Sequence, residues 1–548
     1  MANIVEVNLS TNTTPSYVQR VVGRKSSLSQ DIDEFLGIPY GIIPARWEHS
    51  ILRQCLPQDT FDASSSGPSR DVLDLIGHAS TQKLPVLVWI HGGGFAFGAG
   101  TDPMWDPVRL VLRSISRKTP LMVVRINYRL HAFGFIGSTE IMQDQHRSPF
   151  KGLNFGLRDQ KVALSWIYRY ISSFGGDKDR ITLAGQSAGA CSVNYHVLEA
   201  KMKMQTMFRR GIMQSGAIGT LGPAPLDEAD AQWDVLCHAL GIQGDDEANR
   251  VQKAKKIPAS VIVKTCDVLN WGTFSPTVDN LTIRNVASAF GLAVDFGSVD
   301  YGELTPLCTP IDILIGDTEA EGVSFSEAIS TLQDFDLLRS LFEETYPVST
   351  KEILNEYGLT PETDEETFRQ GLVQLITDLI FGFPVHWAQT QFQTYQAKNV
   401  LPTTVQKFRV EIGNPFPGPL QGLAHHCVEL IYLFDAFHDA LAGVTGYTQD
   451  LHQLSYVDVV QVLQSHWIGF VVGEVDSVRE KTQGFSPFSQ FQEDGSERSI
   501  ASRVFIIADS KTWGTGMSQS LIKVSEEKET ARSATKFRVK SRGFPPHI

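Results

Sequence analysis

The sequence predicts an α/β fold, in which a large and mostly parallel central sheet is flanked by helices. Short apolar runs rich in β-branched residues alternate with helix-like stretches through the first half of the chain, which is typical of such a sheet. Further apolar runs recur almost to the C-terminus, so the sheet is expected to use nearly the whole chain. The 548 residues are 42% hydrophobic and 20% charged, a balance that supports a large buried core.

Each predicted element is a segment whose periodicity or composition favours one structure. Strands are predicted at 85–90, 121–128, 181–185, 210–215, 311–316, 406–412 and 503–509, and helices at 157–171 and 190–200. The stretches at about 220–300 and 325–400 have helical periodicity and predict helical insertions over the active-site edge of the sheet. Residues 1–548 are expected to form one domain, with a basic and disordered tail at about 531–548.

The composition excludes several classes of partner. A net charge of −13 disfavours the phosphate-neutralising surface of a nucleic-acid binder. No run approaches the roughly 18 apolar residues of a membrane span, so no integral membrane segment is expected. The 6 cysteines lack metal-ligand spacing, so no metal site is expected.

The N-terminus lacks the basic start and apolar stretch of a secretory signal, which predicts a cytoplasmic protein. The oligomeric state stays open.

The pattern GQSAG, at Gly185–Gly189, matches a nucleophile elbow. In this turn a serine lies between a strand and a helix, and its small neighbours let the chain reverse direction without a clash. A predicted strand precedes the pattern and a predicted helix follows it, as the turn requires. The sequence therefore predicts Ser187 as the nucleophile of a serine hydrolase with the α/β-hydrolase fold.

A glycine run follows the strand predicted at 85–90, in the sequence HGGGF. Backbone N–H groups of such a loop can stabilise a developing oxyanion, so Gly93 and Gly94, together with Ala188, are the predicted oxyanion-hole donors. A simple tight turn is the alternative. Phe95 and Phe97 are predicted to line an apolar substrate pocket, although core packing would select the same residues.

These motifs resemble those of the type-B carboxylesterases, the carboxylesterase and cholinesterase-like family. The segment Phe174–Gly189, FGGDKDRITLAGQSAG, is similar position by position to that family's active-site signature. Further segments resemble family blocks in family order, at 35–41, 69–75, 84–95, 126–135, 153–167, 213–216 and 466–470. The resemblance implies a serine esterase whose site comprises a catalytic triad and an oxyanion hole.

A serine nucleophile needs a base and an acid, which in this fold follow it in the order acid and then histidine. The loop after the strand at 311–316 carries three acids, Asp317, Glu319 and Glu321, and the residues alone do not choose among them. The resemblance selects Glu321, because the family glutamate immediately precedes a glycine.

Two adjacent histidines, His425 and His426, are the candidates for the base. Adjacent side chains of an extended segment or turn cannot both point at one serine. The resemblance selects His426, because the family histidine lies three residues before an acidic residue, here Glu429.

The chain departs from the family pattern at two positions. Gln186 stands where the family commonly has a glutamate, so the site lacks a negative charge that would favour cationic, choline-like esters. Val72 stands where a cysteine would pair with one at the position of Cys55, which agrees with a reducing compartment.

The implied activity is hydrolysis of neutral, largely apolar or aromatic small-molecule esters through an acyl-enzyme, with no cofactor and no metal. One alternative keeps the triad but transfers the acyl group to a second alcohol, as an acyltransferase or transesterase of natural-product metabolism. A second alternative is a non-catalytic, cholinesterase-like interaction protein.

Overall fold

The computed structural model describes residues 4–67, 72–78, 82–145, 150–242, 247–286, 291–299, 310–397, 404–444 and 455–474. The strand predicted at 503–509 and the tail predicted at about 531–548 lie outside the described residues.

One large twisted sheet organises the described chain, with the strand order β1-β2-β3-β7-β9-β8-β10-β11-β14-β15 and with β6 paired to β2. The strands are β1 (Ile4–Ser10), β2 (Val18–Lys25), β3 (Ile32–Pro39), β4 (Gly41–Ile42), β5 (Ile51–Leu52), β6 (Thr60–Asp62), β7 (Val72–His78), β8 (Leu84–Ile90), β9 (Met122–Ile126), β10 (Gly176–Gln186), β11 (Arg210–Gln214), β12 (Ile283–Asn285), β13 (Leu292–Val294), β14 (Asp312–Thr318) and β15 (Val405–Val410). From β9 to β15 neighbouring strands of the sheet are parallel, whereas β1, β2, β3, β7 and β9 pair antiparallel.

Helices occupy most of the connections between the strands. They are α1 (Val108–Ser116), α2 (His131–Gly134), α3 (Thr139–Gln143), α4 (Phe155–Tyr170), α5 (Ala188–Lys203), α6 (Leu226–Ala239), α7 (Glu247–Lys256), α8 (Ala259–Val268), α9 (Ser326–Leu332), α10 (Phe335–Thr345), α11 (Thr350–Glu356), α12 (Glu365–Thr377), α13 (Phe383–Ala397), α14 (Val428–Phe434), α15 (His438–Gly443) and α16 (Tyr456–Val472). Short 3₁₀ helices cover Pro103–Trp105, Ile171–Phe174 and Glu321–Phe325, and a π-helix at Asp378–Gly382 joins α12 to α13.

The central parallel strands β8, β9, β11 and β14 are buried on both faces, as is usual for parallel strands covered by helices on both sides. In β8 the side chains of Val86, Val88 and Ile90 join the core against α4 and α5. The alternate residues, Leu87 and Trp89, join a second core against α1, α14 and α16. This alternation follows from the two-residue period of a strand.

A third apolar cluster holds together the helices α9 to α12 and the π-helix, apart from the two faces of the sheet. Within the described chain, one helical stretch, Glu365–Gln393, has the length and composition to cross a membrane. Because 78% of its apolar window is buried inside the protein, it has the pattern of a core helix.

The predicted fold class is confirmed. The strands predicted at 85–90, 121–128, 181–185, 210–215, 311–316 and 406–412 correspond to β8, β9, β10, β11, β14 and β15, and the predicted helices correspond to α4 and α5. The predicted insertions contain α6 to α8 and α9 to α13, and the first also contains the small β12–β13 sheet. The antiparallel edge formed by β1, β2 and β3 was not predicted.

Candidate active site

Ser187 lies at the sharp turn between β10 and α5. Its backbone has φ 56° and ψ −122°, a strained conformation for a residue with a side chain, and its N–H donates to the carbonyl of Gln214 at 2.8 Å. Glycine is required on both sides of the turn. A Cβ at Gly189 would lie 2.0 Å from the carbonyl oxygen of Ile90, and one at Gly185 would lie 2.4 Å from the backbone of Gly189. The turn has the geometry of a nucleophile elbow.

The glycine loop begins where β8 ends, and β8 pairs with β10 so that Ile90 lies opposite Gly185. The loop and the elbow are therefore neighbours. Gly93 and Gly94 adopt φ values of 106° and 60°, and a Cβ at Gly93 would lie 2.2 Å from the carbonyl oxygen of Phe97. The third predicted donor, Ala188, is the first residue of α5, where backbone N–H groups have no partner within the helix.

The two predicted pocket residues differ in their surroundings. Phe95 is fully buried, with its ring centroid 4.3 Å from that of Phe135, so it fits the core-packing alternative rather than an accessible pocket wall. Phe97 is 64% exposed beside the glycine loop.

Glu321 and His426 are brought into contact. Oε2 of Glu321 lies 2.5 Å from Nδ1 of His426, and Oε1 of Glu321 accepts a hydrogen bond from the N–H of Thr318 at 2.9 Å. Glu321 begins the 3₁₀ helix after β14, and His426 lies in the loop before α14. A backbone hydrogen bond from Ala320 N–H to the carbonyl of Ala424, at 2.9 Å, ties these two loops together.

The rival candidates have different surroundings. Asp317 is buried, and its burial raises its pKa to about 7, while Glu319 is exposed. His425 lies 2.9 Å from Nδ2 of Asn414 through its Nε2, and its Nδ1 lies 2.6 Å from the carbonyl oxygen of His426. The structure therefore pairs Glu321 with His426, while their catalytic roles stay predictions.

The second ring nitrogen of His426 contacts Gln186. Nε2 of His426 lies 3.1 Å from Nε2 of Gln186, the residue that ends β10 immediately before Ser187. The sequence indicated Gln186 only as a missing charge and did not predict this contact, which joins residues far apart in the chain.

Two further neighbours of His426 were not predicted. Phe381, in the π-helix, has its ring centroid 4.6 Å from that of His426. Cys427 is the next residue in the chain after His426, and its backbone has a φ of 70°. Neither residue belongs to a sequence motif. Phe381 comes from a helical insertion, and Cys427 only follows the two candidate histidines.

Electrostatics at this edge of the sheet favour protonated groups. Burial alone would lower the pKa of His426, but Cys427 and the carboxylate of Glu321 raise it above its ordinary value. Burial, with the charge of Glu321 nearby, raises the pKa of Glu429 to about 7. In the described part of the chain, no group of His, Cys, Asp and Glu side chains could hold a metal ion.

The chain is similar in sequence to known carboxylesterases. Residues 61–495 match the sequence profile of the carboxylesterase family. Para-nitrobenzyl esterase of Bacillus subtilis is 29% identical over 406 residues, 71% of each chain. Inactive carboxylesterase-like protein VdtD of Byssochlamys spectabilis is 28% identical over 389 residues, so the match spans 62% of this chain and only 62% of that relative's length.

Among solved structures, a PNB esterase superposes on this chain with a TM-score of 0.64 at 23% identity, over 84% of this chain and 90% of that one. At this identity the likeness concerns the fold. It agrees with the central sheet and the flanking helices described above.

Proposed function

Because the chain belongs to the carboxylesterase family, we propose that it is a serine esterase that hydrolyses carboxylic esters through Ser187. The observation that carries the proposal is the contact of 2.5 Å between Glu321 and His426, at the edge of the sheet where Ser187 lies on its strained turn. A nucleophile elbow beside a buried acid–histidine pair is the arrangement that acyl transfer requires.

In the proposed mechanism the hydroxyl of Ser187 attacks the ester carbonyl carbon and gives its proton to Nε2 of His426. The carboxylate of Glu321 orients the ring and stabilises its positive charge. The N–H groups of Gly93, Gly94 and Ala188 stabilise the oxyanion.

The tetrahedral intermediate then collapses. The histidine returns the proton to the leaving alkoxide, the C–O bond breaks, and an acyl-enzyme remains on Ser187. Water, deprotonated by the same histidine, attacks the acyl carbonyl carbon. The bond from that carbon to Oγ of Ser187 then breaks, Oγ takes the proton back from the histidine, and the carboxylic acid leaves.

The proposed substrates are neutral, largely apolar or aromatic small-molecule esters. The side chain next to the nucleophile, Gln186, carries no charge and offers no counter-ion to a cationic alcohol. Apolar rings lie close to the chemistry, since Phe381 contacts His426 and Phe97 is exposed beside the glycine loop. Such surfaces favour acyl chains and aromatic groups.

The proposed location is the cytoplasm. Cys55 is free, and Val72 occupies the position where the family commonly has its pairing partner. Free buried thiols such as Cys191 and Cys237 are also compatible with a reducing compartment.

The test labels the protein with a fluorophosphonate probe and measures hydrolysis of nitrophenyl esters of increasing acyl length. Wild-type protein and the control variant Ser340→Ala, an exposed helical serine, are expected to react with the probe and turn over the esters. Ser187→Ala is expected to lose labelling and to lose at least about 10³-fold in kcat. If Ser187→Ala reacts with the probe or hydrolyses the esters as well as wild-type protein does, the proposal is wrong.

The same assay decides the two alternatives. Ester products that form only when an alcohol acceptor is added would indicate an acyltransferase. Failure of the wild-type protein to react with the probe or any ester would favour a non-catalytic interaction protein. One relative, VdtD, is named as an inactive carboxylesterase-like protein.

A further inference from the structure

The side-chain amide of Gln186 lies between the glycine loop and the ring of His426. Gln186 is 2% exposed, and its Nε2 is 3.1 Å from Nε2 of the histidine. On the other side, a Cβ at Gly92 would lie 2.8 Å from Oε1 of Gln186. The absence of a side chain at Gly92 therefore leaves the space that the amide occupies.

The direction of this hydrogen bond follows from the partner on the opposite side of the ring. The carboxylate of Glu321 can only accept, so Nδ1 of His426 carries the hydrogen in that contact. In the neutral ring Nε2 then has a lone pair and needs a donor, which the amide nitrogen of Gln186 supplies. This is the same lone pair to which the hydroxyl of Ser187 must donate.

We propose that Gln186 is a positioning residue that opposes protonation of His426 in the free enzyme, against the effect of Glu321 and Cys427, by donating to Nε2 of the neutral, Nδ1-protonated ring in competition with Ser187. The proposal rests on the proposed function, because the competition matters only if His426 is the base for Ser187.

An amide suits both protonation states of the base. When Nε2 takes the proton of Ser187 it becomes a donor, and a half-turn of the Gln186 amide presents Oε1 as an acceptor. A carboxylate at this position could only accept, and its negative charge would favour the protonated ring before any substrate arrives. Gln186 therefore keeps the base free of a proton at a lower pH than a glutamate would.

The other titratable groups near the ring of His426 stay the same when Gln186 alone is substituted. They are Glu321 on the 3₁₀ helix, the neighbours His425 and Cys427, and Glu429 on α14. The effect of Gln186 is therefore tested by changing that residue alone.

The test titrates His426 by NMR in selectively labelled full-length protein, with the resonance assigned from a His426→Gln variant, and records kcat/KM against pH. Gln186→Glu is expected to move the His426 midpoint and the acid limb of the profile upward by about one pH unit or more, so that kcat/KM on that limb falls about tenfold. Gln186→Met removes the donor without adding charge and is expected to move both upward by about half a unit. Gln461→Glu, the same exchange on the exposed face of α16, is expected to move neither.

Both readouts can overturn the proposal. An unchanged His426 midpoint in Gln186→Met, or in Gln186→Glu, would overturn it, and so would a loss of kcat that is equal at every pH. If Gln186→Glu does not fold, the uncharged Gln186→Met variant decides the question. Failure of the proposed function is distinguishable, because wild-type protein would then neither hydrolyse esters nor react with a fluorophosphonate, whatever the NMR titration shows.

Discussion

Both carboxyl oxygens of Glu321 have a polar partner inside the protein. Its side chain is fully buried, yet one oxygen accepts from the N–H of Thr318 and the other contacts the ring of His426. Two such partners offset much of the cost of burying a carboxylate. The arrangement also fixes which nitrogen of the histidine carries its hydrogen.

The residue-scale prediction compares Glu321→Gln with Glu319→Gln. The amide at 321 can donate to Nδ1 and so stabilise the wrong tautomer, so kcat is expected to fall by about 10³ to 10⁴. Glu319 is exposed, and its variant is expected to keep kcat within about twofold. Steady-state ester hydrolysis measures both, and a large loss in Glu319→Gln alone would reject the assignment of the acid.

Single residues also show how far the sequence could predict the site. The elbow and the glycine loop are local, so the positions of Ser187, Gly93 and Gly94 follow from adjacent residues. The contact of Gln186 with His426 depends on how two distant loops meet, and no local pattern contains that information. Phe95 was ambiguous because a buried ring and a pocket ring have the same chemistry.

At the scale of elements, the strand–turn–helix unit of the elbow depends on backbones that nearly touch. The Gly189 Cα lies in α5 against the carbonyl of Ile90 at the end of β8, and this contact sets how closely helix and sheet pack.

The prediction for this unit is that Gly189→Ala lowers the free energy of unfolding by at least about 1 to 3 kcal/mol and reduces kcat, because the added methyl group must push α5 from the sheet. Gly443→Ala, on an exposed turn of α15 with open space around its Cα, is the matched control and is expected to change neither. Urea denaturation and ester hydrolysis provide the measurements. Wild-type stability in Gly189→Ala would contradict this account of the packing.

Elements differ in how well the sequence predicts them. The parallel strand β8 has a long apolar run because it is buried on both faces. In β7 the apolar run is interrupted by Asp74, which is buried and paired with Arg125 at 3.1 Å. The sequence of β7 therefore lacks the apolar pattern that would predict a buried strand. β1 lies at an edge of the sheet, and the burial of its side chains alternates along the strand. Its place in the sheet depends on its pairing with β2, which composition alone does not indicate.

At the scale of the whole molecule, folding collects acids at the edge of the sheet where the candidate site lies. Burial raises the pKa of Asp317 to about 7, and it does the same for Glu429, whose ordinary value is 4.5. A carboxyl group with a raised pKa in the folded state contributes stability that is complete below its ordinary pKa and is lost as the pH rises through the folded value.

The prediction is that Glu429→Gln stabilises the protein at pH 8 by an amount on the order of 3 kcal/mol and has little effect near pH 4.5. The amide oxygen can still accept the hydrogen bond that Gln214 donates to Oε1 of Glu429 at 3.1 Å. Thermal unfolding at a series of pH values measures the difference, with the exposed Glu352→Gln as control. An equal change in stability at both ends of the range would contradict the role of burial.

The raised pKa values of Asp317 and Glu429 also mean that these two carboxyl groups release protons when the chain unfolds. Near pH 7 each of these carboxyls is about half protonated in the folded chain and ionised once exposed, so unfolding delivers on the order of one proton to the solvent from this pair. The heat that a calorimeter records then includes the ionisation of whichever buffer takes up that proton. Scans in phosphate and in Tris would therefore differ in the heat that this pair contributes to the unfolding of the same molecule.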